Sequence, residues 1–533
     1  MGKQPNVLFL MMDDTQKDCL GCYQGGGEVL TPHLNALAAE GVRFERAYCS
    51  STVCTPSRYT FMTGHYAGRN TDPVFLKDNP PGDMSNIHFN VVLNEQTPNL
   101  MSVLKDNGYQ TGYVGKWHCG RSLADIGAPS FSADEDPRDP ETDQKVRQLQ
   151  RILQHELKCT LQVDHARSLV WGNVDEMPLD QLKAHHLEWM TQGALEVIDS
   201  LDADKPFALY MATSSFHGPS HDESLDQDPC LTWSGYDPAM KSVGEERRAI
   251  KETLKARGMA IDHRRVGAYW TDLQFGKVMQ RLEEKGLLDH TIIVYASDHN
   301  VEPGKASCYE FGTRIPLLIR WPDGFGKGQV SHDLVQNIDL VPTLLRTCGV
   351  EAPRDMVLDG KDIRSILNGE DRHDSLYFEM GFLRAVLKDD MKYIALRYPK
   401  SITEAVKAGS LHVLPNHLDM SEQHQPYVTM DVYRHALDSD QLYDLSQDPA
   451  EQHNLADDPA YAEKREELQL ALQRYVGQFR LHPYDLKDRE IFSLDAYDRA
   501  KSRLQARGLE PVPWWTQEDS EEARQRIPKV LKG

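Results

Sequence analysis

The chain has 533 residues, 40% hydrophobic and 26% charged, a globular composition with room for roughly two to four domains, or one large domain and an appendage. Lys and Arg number 59 against 81 Asp and Glu, a formal net charge of −22, which excludes a protein that coats nucleic acid with a basic face. A small anion remains admissible, provided a metal or a few Lys and Arg reverse the charge locally.

The first apolar run, Val7 to Met12, is far too short to span a membrane. No charged leader or cleavage site precedes it, Met-Gly-Lys-Gln-Pro-Asn lacks the Ser or Thr of a myristoylation signal, and no Asn-x-Ser/Thr sequon occurs. These features read as bacterial and cytoplasmic, or as periplasmic or secreted if a leader has been trimmed. Neither a membrane nor nucleic acid is expected as partner, and nothing specifies an oligomer. Nine cysteines, odd and sparse, argue against a disulfide framework.

Asn6 to Met12 reads as a buried strand ending in Asp13-Asp14. A helix is expected from Thr31 as N-cap and Pro32 in the first turn to Gly41 as C-cap. Strands follow at Thr111–Val114, Phe207–Thr213 and Ile292–Ser297, with a helix over Tyr269–Lys285 stopped by Gly286. Alternating strands and helices predict an α/β fold around a large central, mostly parallel sheet. After Gly369 the pattern changes to short strands at Ser375–Met380 and Leu383–Tyr398, turning at Lys388-Asp389-Asp390, and a charged helix from Pro459 to Phe479. The division expected is a large α/β domain over 1–369, a smaller α+β subdomain over 370–481, and a polar tail over 482–533, with Pro511, Pro513, Trp514 and Trp515, that packs on the surface.

No phosphate-binding loop, dinucleotide fingerprint or His-Glu-x-x-His occurs. Cys19-Leu-Gly-Cys22 has no second pair at zinc spacing and reads as structural. Asp13-Asp14 and Asp298-His299 each close a predicted strand, where ligands of α/β sheets gather. They could converge on one hard cation, Ca²⁺ or Mg²⁺, or simply cap helices.

The segment Cys54-Thr-Pro-Ser-Arg58, with Thr63-Gly64 five residues on, resembles the signature of the type I sulfatase family, within the alkaline-phosphatase-like superfamily. Gly115-Lys116-Trp117-His118, the strand Phe207 to His217, Leu287 to His299, Lys305 with Tyr309 and Glu310, Thr313-Arg314-Ile315-Pro316 and Leu442 to Pro449 resemble further family motifs in order over roughly residues 5–480. Two departures stand out: Asn300 replaces the usual Gly, and the loop to Lys305 is short. Gly120–Pro178 matches no motif and is expected to shape the substrate pocket.

The resemblance implies that Cys54 is oxidised to Cα-formylglycine by a formylglycine-generating or sulfatase-maturing enzyme. Asp13, Asp14, Asp298 and His299, with residue 54, would bind one divalent ion, Ca²⁺ or alternatively Mg²⁺ or Mn²⁺. One hydroxyl of the aldehyde hydrate would attack sulfur, and the second would let the sulfated residue collapse back to aldehyde. Lys116, Lys305 and Arg58 would supply positive charge, His118 the base for the collapse, and His217, with Lys305, the proton for the leaving oxygen. The substrate implied is a sulfated small molecule or glycan. A phosphonate monoester hydrolase or phosphodiesterase of the same superfamily is the alternative, and a non-catalytic binding protein is disfavoured by the complete set of reactive residues.

Overall fold

The computed structural model describes residues 4–23, 28–399, 425–487 and 516–532, with positions 404, 502 and 506. Its centre is an eight-stranded sheet made of β1 (Asn6–Met12), β2 (Val42–Phe44), β3 (Gln110–Lys116), β4 (His165–Val170), β5 (Phe207–Ala212), β6 (Thr291–Ser297), β7 (Leu317–Arg320) and β8 (Gln329–Ser331). The order across it is β8-β2-β7-β6-β1-β5-β3-β4. β1 pairs in parallel with both β5 and β6, whereas β7 runs antiparallel to β6 and β2. Every residue of β1, β5 and β6 is buried, as a sheet covered on both faces requires.

Helices α1 (Pro32–Glu40), α2 (Cys54–Thr63), α3 (Pro140–Leu161), α4 (Leu187–Ser200) and α5 (His263–Glu284) belong to this layer. The predicted strands are present within a residue or two, and the short ones, β2, β7 and β8, carry too little pattern to be read. The helix expected over Tyr269–Lys285 begins earlier, because the Asp262 carboxylate accepts from Arg265 N at 2.8 Å. Thr31 does not cap α1 with its side chain. Asp272 does so from α5, accepting from His33 N and Leu34 N at 3.2 and 2.8 Å. Gly41 ends the helix where a Cβ would lie 2.3 Å from Ile319 O, so α1 can meet β7 only through a glycine.

The later sheet consists of β9 (Leu376–Met380), β10 (Leu383–Lys388), β11 (Met391–Leu396) and β12 (Asp440–Asp444), antiparallel throughout. Asp389 and Asp390 form the β10–β11 turn. Alternation sorts its side chains between two cores. Leu376, Phe378, Ala385 and Ile394 pack with Tyr48, Val53 and Phe311 of the catalytic layer, while Tyr377, Val386 and Tyr393 pack with Leu468 and Leu472 of α6 (Ala462–Val476). A last helix, α7 (Gln517–Lys532), buries Ile527, Val530 and Leu531 in the first of these cores. Pro511, Pro513, Trp514 and Trp515 lie outside the described residues. Among the described residues no helix is long and apolar enough to cross a membrane, and all nine cysteines are free.

Candidate active site

The carboxyl ends of β1, β3, β5 and β6 deliver Asp13-Asp14, Lys116, the loop to His217, and Asp298-His299 to one place. Cys54 and Arg58 join them from the first turn of α2, four residues apart and therefore on one face. Lys116 reaches its position through Gly115, whose φ is 94° and whose Cβ would stand 1.8 Å from Ala212 O. Glycine is the residue that fits this turn of the strand.

Cys54 Sγ lies 3.4 Å from Asp13 Oδ1, 3.5 Å from Lys116 Nζ and 3.3 Å from His299 Nε2. Arg58 Nε donates to Asp298 Oδ2 at 2.9 Å, and its Nη2 stands 3.6 Å from Asp13 Oδ1. Lys116 Nζ pairs with Asp13 Oδ2 and donates to Asn173 Oδ1. Lys305 Nζ grips both Asp14 oxygens at 3.0 and 2.7 Å, so the short loop still brings this lysine to the cluster. Three carboxylates and three cations meet here, all buried.

Burial pushes the Asp13 carboxyl up, but Lys116 and Arg58 outweigh it and hold the group well below the usual range. Asp14 is likewise lowered, burial being overcome by Lys305 and His299. Asp298 is raised, because burial exceeds what its neighbours return. Burial also lifts the Cys54 thiol well above its ordinary value.

Asp13, Cys54, Asp298 and His299 place their ligand atoms within 4.8 Å of one another. His299 Nδ1 stands 2.8 Å from Asn300 O and 3.2 Å from Asp14 Oδ1, both acceptors, so a proton sits there and Nε2 is the ring atom turned into the cluster, free to ligate a cation in the neutral ring. Carboxylate oxygens and an imidazole lone pair facing one another fit a hard divalent cation. Asp14 lies beside this group, its oxygens facing His299 and Lys305.

His118 has a φ of 59° and a buried Nδ1 without a hydrogen-bond partner among the described residues. Exposed Phe89 stacks on its ring, centroids 5.3 Å apart. Burial first, then the charge of Lys116, holds this imidazole well below the ordinary histidine range. His217 has Nδ1 3.8 Å from Asp175 Oδ1. A cavity of about 320 Å³ opens beside His118, walled by Gly120 to Leu123, Trp171, Met177 and Trp233. Both ends of the segment expected to shape a pocket thus line one. A larger cleft, about 910 Å³, runs from Asp14 past Phe216 and His263 to Arg526 and Lys529 of α7.

Sequence reasoning missed Asn173, the acceptor for Lys116, along with Phe89 and Asp175. A lone Asn after an unrecognised strand carries no periodic or motif signal.

The sulfatase family model matches residues 5–350. An uncharacterised sulfatase of Escherichia coli (strain K12) is 27% identical over 90% of this chain and 88% of its own length. The N-acetylglucosamine-6-O-sulfatase of Bacteroides thetaiotaomicron is 22% identical over 92% of this chain and 90% of its own. A solved structure in complex with its substrate D-glucosamine-2-N,6-O-disulfate superposes with a TM-score of 0.57 at 20% identity, over 90% of this chain and 98% of that one. The phosphonate monoester hydrolase of Agrobacterium radiobacter gives 0.52 at 18% identity, over 89% and 96%. With the match to the family model spanning the whole central sheet, the chain belongs to the sulfatase family and is a sulfuric ester hydrolase.

Proposed function

We propose that the protein hydrolyses the sulfate monoester of a carbohydrate, with Cys54 converted to Cα-formylglycine and one divalent cation, Ca²⁺ with Mg²⁺ or Mn²⁺ as substitutes. The observation that carries this reading is the meeting of Cys54 with Asp13, Lys116 and His299 within 3.5 Å of its sulfur. The names of relatives, an N-acetylglucosamine-6-O-sulfatase among them, support a sugar as the alcohol. The Cys54-Thr-Pro-Ser-Arg58 sequence supports conversion by a maturing enzyme. The division into 1–369, 370–481 and 482–533 belongs to the same proposal.

Asp13, Asp298, His299 and residue 54, with Asp14 beside them, would hold the cation, which when bound neutralises a sulfate oxygen and acidifies the hydroxyl at residue 54. The formylglycine hydrate supplies two hydroxyls on one carbon, one to displace at sulfur and one to restore the aldehyde. Lys116 and Lys305 turn a site with three carboxylates into one that accepts an anion, and the N-terminus of α2 adds its dipole at residue 54. Arg58, spent on Asp298 and Asp13, aims those carboxylates and helps hold Asp13 ionised. His118, kept neutral by burial and Lys116, offers Nδ1 to accept the proton of the second hydroxyl. His217 hands a proton to the leaving sugar oxygen, and its Nδ1 stands 3.8 Å from Asp175 Oδ1.

The test uses protein whose Cys54 conversion is verified by mass, on sulfated mono- and oligosaccharides, phosphodiesters and phosphonate monoesters. Sugar sulfates should be hydrolysed, chelation should stop turnover, and Ca²⁺ should restore it. Turnover of phosphonate esters without sulfate release would transfer the function to the second reading, which the Agrobacterium neighbour supports.

A further inference from the structure

Three histidines outside the chemistry above lie beneath the loop that follows β5. His185 precedes α4, His221 follows the loop, and His263 opens α5. His185 and His221 are fully buried and stack with ring centroids 4.1 Å apart.

Their hydrogen-bond partners assign every ring proton. His185 Nε2 stands 3.0 Å from His217 O and 2.9 Å from Pro219 O. Carbonyls only accept, so Nε2 carries the proton and Nδ1 accepts from Ser214 Oγ at 2.8 Å. His263 Nε2 donates to Phe216 O at 3.0 Å. Its Nδ1 therefore accepts, from His221 Nδ1–H at 3.2 Å and from the His221 backbone N–H at 3.3 Å. That leaves His221 Nε2 to accept from Ser215 Oγ at 3.0 Å, while Ser215 Oγ accepts from Thr271 Oγ1, also at 3.0 Å. The network closes when all three rings are neutral. Burial favours that form, pushing His185 down to about 3 and lowering His221 and His263.

Together the rings hold Ser214, Ser215, Phe216, His217 and Pro219. On the opposite side the loop is tied to the cluster itself, Asp13 N donating to Ser215 O at 2.6 Å and Phe216 N to Asp13 O. The imidazole of His217 has looser neighbours, Gly218 O at 3.3 Å and Asp175 Oδ1 at 3.8 Å. Its place is therefore set through its backbone.

We propose that His185 is a positioning residue for the reaction. By pinning the carbonyls of His217 and Pro219, it fixes the point at which the His217 imidazole meets the leaving oxygen, and His221 and His263 brace the same loop. The proposal rests on His217 acting as the acid. Its signature follows from that role. A misplaced acid penalises a sugar alcohol, which must be protonated to leave, far more than an activated phenol, which leaves unaided. A loss of packing alone would lower both rates together.

The experiment compares full-length, Cys54-converted wild type, His185→Leu, His185→Gln and His217→Ala on a sugar sulfate and on 4-nitrophenyl sulfate. His185→Leu should lose on the order of 10²-fold in kcat on the sugar sulfate and only a few-fold on the aryl ester, with KM nearly unchanged. Gln can place an amide N–H where Nε2–H stood, so His185→Gln should recover most of the loss. Ser214→Ala, which removes the bond at Nδ1 and keeps the ring, should carry the same pattern at smaller size and decides the matter if His185→Leu does not fold. Equal losses on both esters, or none, overturn the proposal. Should His217→Ala show no dependence on the leaving group, the acid assignment falls and takes the proposal with it.

Discussion

Two of the ionic clusters buried in the molecule differ in what each leaves unspent. At the carboxyl ends of β1, β3 and β6, Asp13, Asp14 and Asp298 meet Arg58, Lys116 and Lys305. Between the catalytic layer and the later sheet, Lys392 of β11 meets Glu310 at 3.1 Å, Thr313 Oγ1 at 3.2 Å and Glu451 at 3.8 Å, under the ring of Phe378. Both clusters are buried, so burial of charge does not mark function. In the first, His118 Nδ1 and Arg58 Nη2 lack hydrogen-bond partners among the described residues, His299 Nε2 faces the Cys54 sulfur at 3.3 Å and Asp298 Oδ1 at 3.8 Å, and a cavity opens alongside. In the second, the one orphan atom, Glu451 Oε1, is answered from within, since burial raises that carboxyl to about 8 and favours its protonated form. An active site keeps donors and acceptors for a guest, whereas a structural ion cluster consumes its own.

Breaking the first cluster at residue 54 should have the largest effect. Cys54→Ser should fold and keep its metal ligands, yet lose steady-state turnover by roughly 10³-fold or more. The serine hydroxyl can be sulfated once but has no second hydroxyl through which to release sulfate. Intact mass after incubation with substrate should show one added sulfonate per chain, and the wild-type peptide should be about 18 Da lighter than a cysteine peptide. Full multiple turnover by protein with an unmodified thiol at every Cys54 would sink the mechanism.

His118→Ala should come next, at roughly 10² to 10⁴-fold in steady state. If His118 serves only sulfate release, the variant should give one equivalent of free alcohol in a burst and then stall. Rapid-quench measurement of alcohol and sulfate together decides it, since equal release of both removes the role assigned to His118.

Much of this contrast was legible in the sequence, and the limit has a physical cause. The first cluster sits where buried strands end, so Val7–Met12 and Ile292–Ser297 announce Asp13-Asp14 and Asp298-His299 by their apolar runs. Cys54 and Arg58 were visible as members of one specific motif, though not as the helical start that sets them on one face. The second cluster joins Lys392, Glu310 and Glu451, each in an unremarkable charged context, and only the folding of β11 against the catalytic layer brings them together. The capping of α1 by Asp272 and the holding of Lys116 by Asn173 were hidden for the same reason, each being a single contact across distant segments.

Breaking the second cluster should move stability and spare chemistry. Lys392→Met keeps the stem and deletes the charge, leaving Glu310 and Glu451 buried without their cation. Loss of one partner from a buried ion pair costs roughly 3–5 kcal/mol. Denaturant unfolding should show a loss of that order, while kcat of the folded fraction stays within about twofold of wild type. A variant that kept its stability but lost turnover would reverse the assignment of the two clusters.

The last effect expected is a pH dependence, and it sharpens the comparison because it reads the second cluster's internal answer to its own orphan atom. Burial, reinforced by Glu310 and opposed by Lys392, raises the Glu451 carboxyl from 4.5 to about 8 in the folded chain. Between those values the folded state holds a proton that the unfolded state has released, so stability falls as pH rises. The contribution is fully present below about 4.5, declines across the window, and is gone once pH passes about 8. Glu451→Gln removes the titration while keeping an oxygen for Glu310 N, which now donates to Glu451 Oε2 at 2.6 Å. Melting temperatures of wild type and Glu451→Gln should therefore converge near pH 5 and separate toward pH 8, the variant becoming the more stable of the two. The difference between the curves isolates this carboxyl from every group that titrates in both proteins, the active-site carboxylates included. A constant offset across that range would mean that Glu451 is ionised in the folded chain and that the second cluster, like the first, carries a charge it does not answer itself.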